Sequence, residues 1–440
     1  MGGPAGGRER LTAADASNYV MDAPDQVNAF LMAGVLAPGG SVNSEGEPDV
    51  AAMRSAVREL IPELPRLSQR VVADGRGFAW ESASLDLAGH VRVTGPVDGL
   101  QGLEALCARL MVTPLPLDRP LWELLLVPGV APRRVGIVFR LHHAMADGLA
   151  AVRLVEVLLR PIGPTGGTEV AAPPVPAALA DTATPSVSPV PAVPARRGIR
   201  TRMRTLASGW ERTRAMFRRA VPPTVLLGPI GPRRGVAFVD TSLDALATGA
   251  DTAGATVNDA VLAATVAAVE AALRARGEPV PRVLPASVAV ALAERGRSGN
   301  AVGVMLMPLP TGESDPSVRL SRIAELTRAR KADARSRGSL ELTRTRLGTM
   351  LFRRLVRYQR LIVMFVTNVR GPRHPLALAG APLERVWPLS AIQGNVRIGV
   401  AALSYAGTLG CAVHCDADAI SPDVFAAALA DEFERIAALA

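Results

Sequence analysis

Two adjacent histidines, in the stretch RLHHAMADGLAAVRL (residues 140–154), are the side chains of this sequence best suited to proton transfer near neutral pH. His142 and His143 are followed by Asp147 and Gly148. A neutral imidazole has an unperturbed pKa of about 6.5, so it can take a proton and return it under physiological conditions. The other reading is a pair of hydrogen-bonded histidines at the junction of two elements, and residue types alone leave both open. A metal site built on His143 and Asp147 lacks a third ligand. Cys411, His414 and Cys415 lack the second ligand pair that a structural zinc requires, and alternation along a strand explains their spacing more simply.

Other chemistries lose their usual residues. No G-x-S-x-G elbow is present, which argues against an ordinary serine hydrolase. No G-x-G-x-x-G follows a strand, and the single lysine, Lys331, lies in no phosphate-binding loop. Cys107 sits in the apolar stretch LEALCARLMV and reads as a buried core thiol.

The elements that position the histidines can be read from periodicity. LWELLLV (121–127) and RVGIVFRL (134–141) read as neighbouring strands joined by a turn. From Gly148 the pattern becomes helical, with Leu149, Val152, Val155, Leu158 and Leu159 on one face. The histidines therefore fall where a buried strand meets a helix. Upstream, an N-terminal helix is expected, and the segment from VREL to RLSQRVV reads as helical and amphipathic. Downstream, VAFVDTSL and LIVMFVTNVRGP read as strands, and TVNDAVLAATVAAVEAALRARG as a long buried helix capped by Thr256 or Asn258. RIGVAALSYAGTLGCAVHCD reads as a hairpin turning at Ala406-Gly407, and the last helix starts at Ser421.

The chain has 440 residues, of which 49% are apolar and 20% charged, enough for more than one globular domain. Residues 161–195 hold nine prolines, no aromatic residue and only Glu169 and Asp181 as charges, a composition that reads as an extended linker. Directly after it, residues 196–219 carry nine arginines and one glutamate, so nearly all of the net charge of +9 is local. Few aromatics interleave with these arginines, and nucleic acid is not an expected partner. Leu206, Trp210 and Phe217 lie among them, so Arg196–Arg219 could instead lie on an anionic membrane or lipid droplet, or pack as a solvated crossover helix. Three cysteines, no apolar leader and no apolar run of ~18 residues suggest a cytoplasmic protein, peripheral at most to the inner membrane or lipid inclusions.

HHAMADG matches H-H-x-x-x-D-G, and in this respect the chain resembles CoA-dependent acyltransferases and condensation domains. More narrowly it resembles the bacterial wax ester synthase/diacylglycerol acyltransferase family. LTAADASNYVMDAP, RPLWELLLV, TVNDAVLAA, SGNAVGVMLMPLP, TNVRGP and IGVAALSYAGTL resemble that family's segments in order. The resemblance implies an α/β fold of two chloramphenicol-acetyltransferase-like domains with a substrate tunnel at their interface. The corresponding division of the chain is 1–160, a proline-rich crossover at 161–200, and 201–440. It implies transfer of a fatty acyl group from acyl-CoA, a substrate and not a cofactor, to a long-chain alcohol or diacylglycerol. His143 would be the general base, supported by His142. Asp147 would be structural, pairing an arginine behind the site, and Gly148 would permit a tight turn. Asn258 and Asp259 would orient the substrate, with helix capping an equally simple role. Acyl transfer to an amine or specialised alcohol, and a non-catalytic lipid-binding relative, are the alternatives. The chain departs from the family pattern at Pro116, at Arg370 and in DQVNAF, which stands where P-M-H is usual.

Overall fold

The computed structural model describes residues 8–22, 26–75, 77–146, 148–161, 221–291, 302–334, 354 and 356–440. Strand β1 (Glu9–Arg10) and helix α1 (Ala13–Met21) come first, followed by β2 (Ala29–Leu36) and α2 (Val50–Leu60). Next are β3 (Gln69–Asp74), β4 (Gly77–Ser82), α3 (Leu87–His90), β5 (Val91–Val93) and α4 (Gly99–Leu110). β6 (Trp122–Ala131), β7 (Arg134–His142), α5 (Gly148–Leu158) and β8 (Arg160–Pro161) complete the first half. The second half holds β9 (Arg234–Ser242), α6 (Leu243–Thr252), α7 (Val257–Ala275), β10 (Val283–Ala291), β11 (Val302–Pro310) and α8 (Pro316–Ala334). It ends with β12 (Met364–Arg370), β13 (Leu376–Leu378), β14 (Ala381–Leu389), β15 (Ile398–Tyr405), β16 (Thr408–Asp416) and α9 (Pro422–Ala437).

Most sequence expectations hold: β6 and β7 pair, α7 is capped by Thr256, and Ser421 caps α9. The hairpin turns at Ala406 (φ 44°) and Gly407 (φ 86°), as a tight turn with two left-handed residues requires. One expectation fails. Helix α2 stops at Leu60, and Gln69–Asp74 is a strand paired with β4. Pro62 and Pro65 interrupt the helical pattern, and RVVA alternates as a strand does once Trp80 opposite Val71 supplies its buried partner.

Two large sheets form the architecture. The first has the order β5-β6-β7-β2-β14-β13-β8, and the second β11-β10-β12-β15-β16-β9. A small third sheet, β1-β4-β3, stands beside the first. Strands β13 and β14 belong to the second half of the chain yet complete the first sheet, so division by sheet and division by chain position differ there. Side chains alternate across β7: Val135, Ile137, Phe139 and Leu141 join one apolar cluster, while Val138 joins another on the opposite face. The second cluster spans the seam between sheets, with Trp387 of β14 stacked on Phe238 of β9 at 4.5 Å and 6°. A Cβ at Gly410 would lie 2.1 Å from the carbonyl oxygen of Val386, so glycine permits β16 to approach β14 this closely. The second sheet's other face is covered by α6, α7, α8 and α9 over a core of Val, Leu and Ala.

A buried charge network fixes the register of β6 and β7. Arg140 (2% exposed) donates to Glu123 on the neighbouring strand and to the carbonyls of Leu110, at the end of α4, and Thr113 just after it. Arg92 donates to the other Glu123 oxygen at 2.8 Å. Burial alone would raise the Glu123 carboxyl, but Arg140 and Arg92 outweigh it and hold it below its ordinary value. Glu123→Gln leaves Arg140 buried and uncompensated, which should cost about 3–5 kcal/mol and lower the melting temperature accordingly. Arg92, whose side chain is 47% exposed, should matter far less: Arg92→Ala is expected within ~1 kcal/mol of wild type. Equal losses in the two variants would contradict the buried-charge account.

His414 of β16 is buried, with Nδ1 donating to the carbonyl of Ser390 at 2.8 Å. Burial lowers its pKa to about 4, outweighing that hydrogen bond. As pH falls from about 6.5, the unfolded chain takes up this proton before the folded chain does, so stability drops on the acid side. Between pH 7 and pH 5 the loss from this group should be about 2 kcal/mol. Burial lowers His90 too, which adds a loss of the same sign. Denaturant midpoints at the two pH values should therefore differ more in wild type than in His414→Asn. An unchanged difference would remove His414 from the acid response.

Candidate active site

His142 ends β7, paired with Ala29 of β2, and the chain then turns sharply. The His142 carbonyl accepts the Met145 N–H at 2.9 Å, and the His142 Nδ1 accepts the Ala144 N–H at 3.0 Å. Because Nδ1 is an acceptor, the ring proton of neutral His142 sits on Nε2. That atom faces the Asp22 carboxylate at 3.6 Å. The ring is 1% exposed and lies beside Tyr19, with centroids 5.9 Å apart. His142 is thus a fully enclosed brace for the turn.

His143 stands at the first position of the turn. Its backbone N–H donates to the Asn28 carbonyl at 2.9 Å, extending the β2–β7 ladder by one bond. Its ring is half-buried and meets Phe30 edge-on, with centroids 5.6 Å apart and planes at 88°. Of the two imidazoles, this one lies outside the strand and retains access to solvent. The spacing expected from the sequence therefore separates the pair into an inward and a presented histidine.

The network behind the site uses the segment before β6. Trp122 is buried, stacks on His90 with centroids 4.6 Å apart, and donates from Nε1 to the Leu67 carbonyl at 2.8 Å. The next residue, Glu123, holds Arg140, two positions ahead of His142. Gly148 begins α5, and Leu154, Val155 and Leu158 of that helix are buried. Asp147 lies outside the described residues, as do the arginine-rich segment Arg196–Arg219 and residues 162–200 of the proline-rich stretch.

Asn258 and Asp259 sit in the first turn of α7. Asp259 Oδ2 accepts the backbone N–H of Thr256 at 2.9 Å and its hydroxyl at 2.7 Å, while Thr256 Oγ1 accepts the Asp259 N–H at 3.3 Å. This is a reciprocal capping box. The capping role proposed for Asp259 from sequence is therefore present in its local bonds. Helix α7 and helix α5 both pack against β12.

Sequence reasoning did not single out Asp22, Asn28 or Gln393. Asp22 Oδ1 accepts the Asn28 N–H at 2.7 Å while its other oxygen faces His142. Gln393, from the loop after β14, donates to Asn28 Oδ1. The signal was visible as a departure, since Asn28 belongs to DQVNAF, but nothing in that segment announced contact with residues more than a hundred positions away.

Among the described residues, no group of three or more His, Cys, Asp or Glu is arranged to hold a metal ion. The three cysteines are buried and reduced, with burial raising each thiol. No single described helix is long and apolar enough to cross a membrane.

Residues 11–261 match the family model for the wax ester synthase/diacylglycerol acyltransferase catalytic domain, and residues 298–437 match that for the family's C-terminal domain. A probable diacylglycerol O-acyltransferase of Mycobacterium tuberculosis is 29% identical over 413 residues, covering 88% of each chain. A putative diacylglycerol O-acyltransferase of Mycobacterium bovis is 30% identical over 367 residues, 76% of this chain and 72% of its own. The fold matches a wax ester synthase/diacylglycerol acyltransferase from Marinobacter aquaeolei at a TM-score of 0.70 and 21% identity, over 97% of this chain and 98% of the other. A trichothecene 15-O-acetyltransferase from Fusarium sporotrichioides shares the fold at a TM-score of 0.65 and 12% identity, over 100% and 96% of the two chains. The catalytic-domain match covers more than half of the sequence and includes the histidine turn, and the chain belongs to the wax ester synthase/diacylglycerol acyltransferase family of acyl-CoA-dependent O-acyltransferases.

Proposed function

We propose that this enzyme joins a fatty acyl group from acyl-CoA to a long-chain alcohol or diacylglycerol, with His143 as the general base. The observation that carries the assignment is the asymmetry of the histidine pair. His142 is 1% exposed and enclosed, whereas His143 stands at the strand end and is only partly buried. The imidazole of His143 takes the acceptor's hydroxyl proton as that oxygen attacks the thioester carbonyl carbon. The tetrahedral intermediate collapses, the carbon–sulfur bond breaks, and the CoA thiolate leaves and recovers the proton from the imidazolium. No acyl-enzyme is needed, and the buried, weakly acidic thiols are poor candidates for one.

The substrates are placed in a tunnel at the seam between the two sheets, acyl-CoA entering on one side and the acceptor on the other. Asp147 is assigned a structural role beside the turn. Asn258 is assigned to orient the acceptor, since α7 and α5 share β12 as a neighbour.

Release of free CoA thiol, measured against long-chain alcohols, diacylglycerols and amines, tests the assignment. Loss of a positioned base typically costs ~10²–10⁴ in rate, so His143→Ala should lose most turnover and keep its fold. His142→Ala should retain more turnover than His143→Ala but melt at a lower temperature, because it removes an enclosed brace. Near-native turnover in His143→Ala would exclude it as the base, and a preference for amines would exclude O-acyl transfer as the main reaction.

A lipid acceptor also gives the arginine-rich segment a use. We assign Arg196–Arg219 to an anionic lipid surface, on the strength of its +8 charge and its Leu206, Trp210 and Phe217. Each arginine near such a surface contributes up to about 1 kcal/mol, fading as salt shortens the Debye length. Liposome co-sedimentation should therefore need anionic lipid and weaken with salt. Replacing Arg196, Arg197, Arg200, Arg202 and Arg204 by glutamine should reduce it, and unchanged binding would reject the assignment.

A further inference from the structure

The loop Gln393–Asn395 between β14 and β15 is gripped by amide side chains from three directions. Gln26 forms a reciprocal pair with the Gly394 backbone: its Nε2 donates to the Gly394 carbonyl at 2.8 Å, and its Oε1 accepts the Gly394 N–H at 3.0 Å. Gln359 Nε2 donates to Asn395 Oδ1 at 2.7 Å, and Asn395 Nδ2 donates to the Gln359 carbonyl at 2.8 Å. Gly394 adopts φ 69°, and a Cβ there would lie 2.8 Å from the Val356 carbonyl oxygen, so the loop conformation depends on glycine. The third contact is from Gln393 Nε2 to Asn28 Oδ1.

Each polar atom of Asn28 is bonded in this arrangement. Its backbone N–H goes to Asp22, its Nδ2 to the Asn18 carbonyl at 2.8 Å, its Oδ1 to Gln393, and its carbonyl to the His143 N–H. It is 1% exposed, so a lost partner would not be replaced by bulk water. The amide orientation is dictated, because rotating it would set Nδ2 against the Gln393 donor.

We propose that Gln393, from the second half of the chain, is a positioning residue for His143 that acts through Asn28. This rests on His143 being the base. The bond across the seam holds Asn28 in the orientation that fixes the His143 backbone, so the base is fully in place only when the two halves are closed on each other. A displacement of about 1 Å in a reacting group can cost ~10²-fold in rate, which makes one such bond significant.

Gln393→Glu tests this with little change of shape, because it replaces a donor by an acceptor facing Asn28 Oδ1. CoA thiol release with a long-chain acyl-CoA and a long-chain alcohol should show kcat reduced about 10-fold, with KM for acyl-CoA within about twofold of wild type. Gln393→Ala should be as slow as Gln393→Glu, and adding Asn28→Ala to either should cost no more than Asn28→Ala alone, because both act through one bond. Wild-type kcat in Gln393→Glu overturns the proposal, as does an additive loss in the double variant. If Asn28→Ala fails to fold, Gln393→Glu decides alone. His143→Ala measured in the same series separates the two claims. An active His143→Ala removes the base assignment, whereas an inactive His143→Ala beside a fully active Gln393→Glu removes only the role of Gln393.

Discussion

The buried guanidinium of Arg140 is the constraint on which the site's geometry depends. It lies two residues before His142 on β7, on the face of the strand opposite Phe139 and Leu141, and it must be neutralised there. Glu123 supplies the charge from β6, and the carbonyls of Leu110 and Thr113 accept further N–H bonds. These partners come from a neighbouring strand and the end of a helix, so satisfying one cation sets strand register and helix position together. A one-residue slip of β7 against β6 would turn Arg140 to the other face and take the histidines with it. A hydrophobic pair of similar volume could give comparable stability, but it would tolerate that slip more easily. Here the charge serves register.

From that fixed strand end, the two histidines receive opposite environments. Strand alternation sends His142 to the face already occupied by Val138 and Arg140, where Asp22, Tyr19 and the Ala144 N–H enclose it. His143 comes one residue later, beyond the regular ladder, and its ring meets the edge of Phe30. Adjacent identical residues thus acquire different roles through the period of a β-strand and the place where it stops. An enclosed, oriented brace stands directly beside a partly exposed imidazole.

Much of this was legible in the sequence. Alternation in RVGIVFRL and the apolar run in LWELLLV located β6 and β7, and the break at Gly148 located the start of α5. Thr256 and Ser421 announced their helices because capping chemistry is local. The segment around Gln69 was misread as helix, since its strand character comes from pairing with β4, a tertiary partner that composition does not reveal. The same limit hid Asp22, Asn28 and Gln393. Polar residues in a loop carry no period, and the partners of Asn28 are drawn from residues 18, 22, 143 and 393. The contribution of β13 and β14 to the first sheet was hidden for the same reason, because a strand's own pattern does not say which sheet it joins.

That crossing brings the second half of the chain against the segment beside the histidine turn. Strand β14 pairs with β2 along Leu31–Leu36, and the chain then leaves the first sheet at Leu389 and enters the second at Ile398. The loop between them must pass the end of β2, where Asn28 and the histidine turn also lie. Gln393, the Gly394 backbone and Asn395 are matched there one by one with amide groups, a pairing with strict donor and acceptor requirements and no net charge. Such bonds contribute modestly to stability but discriminate strongly between correct and incorrect geometry, since a buried unpaired amide costs more than a good bond contributes. This loop is therefore built for specificity more than for strength, while the apolar cluster around Trp387 and Phe238 holds the seam.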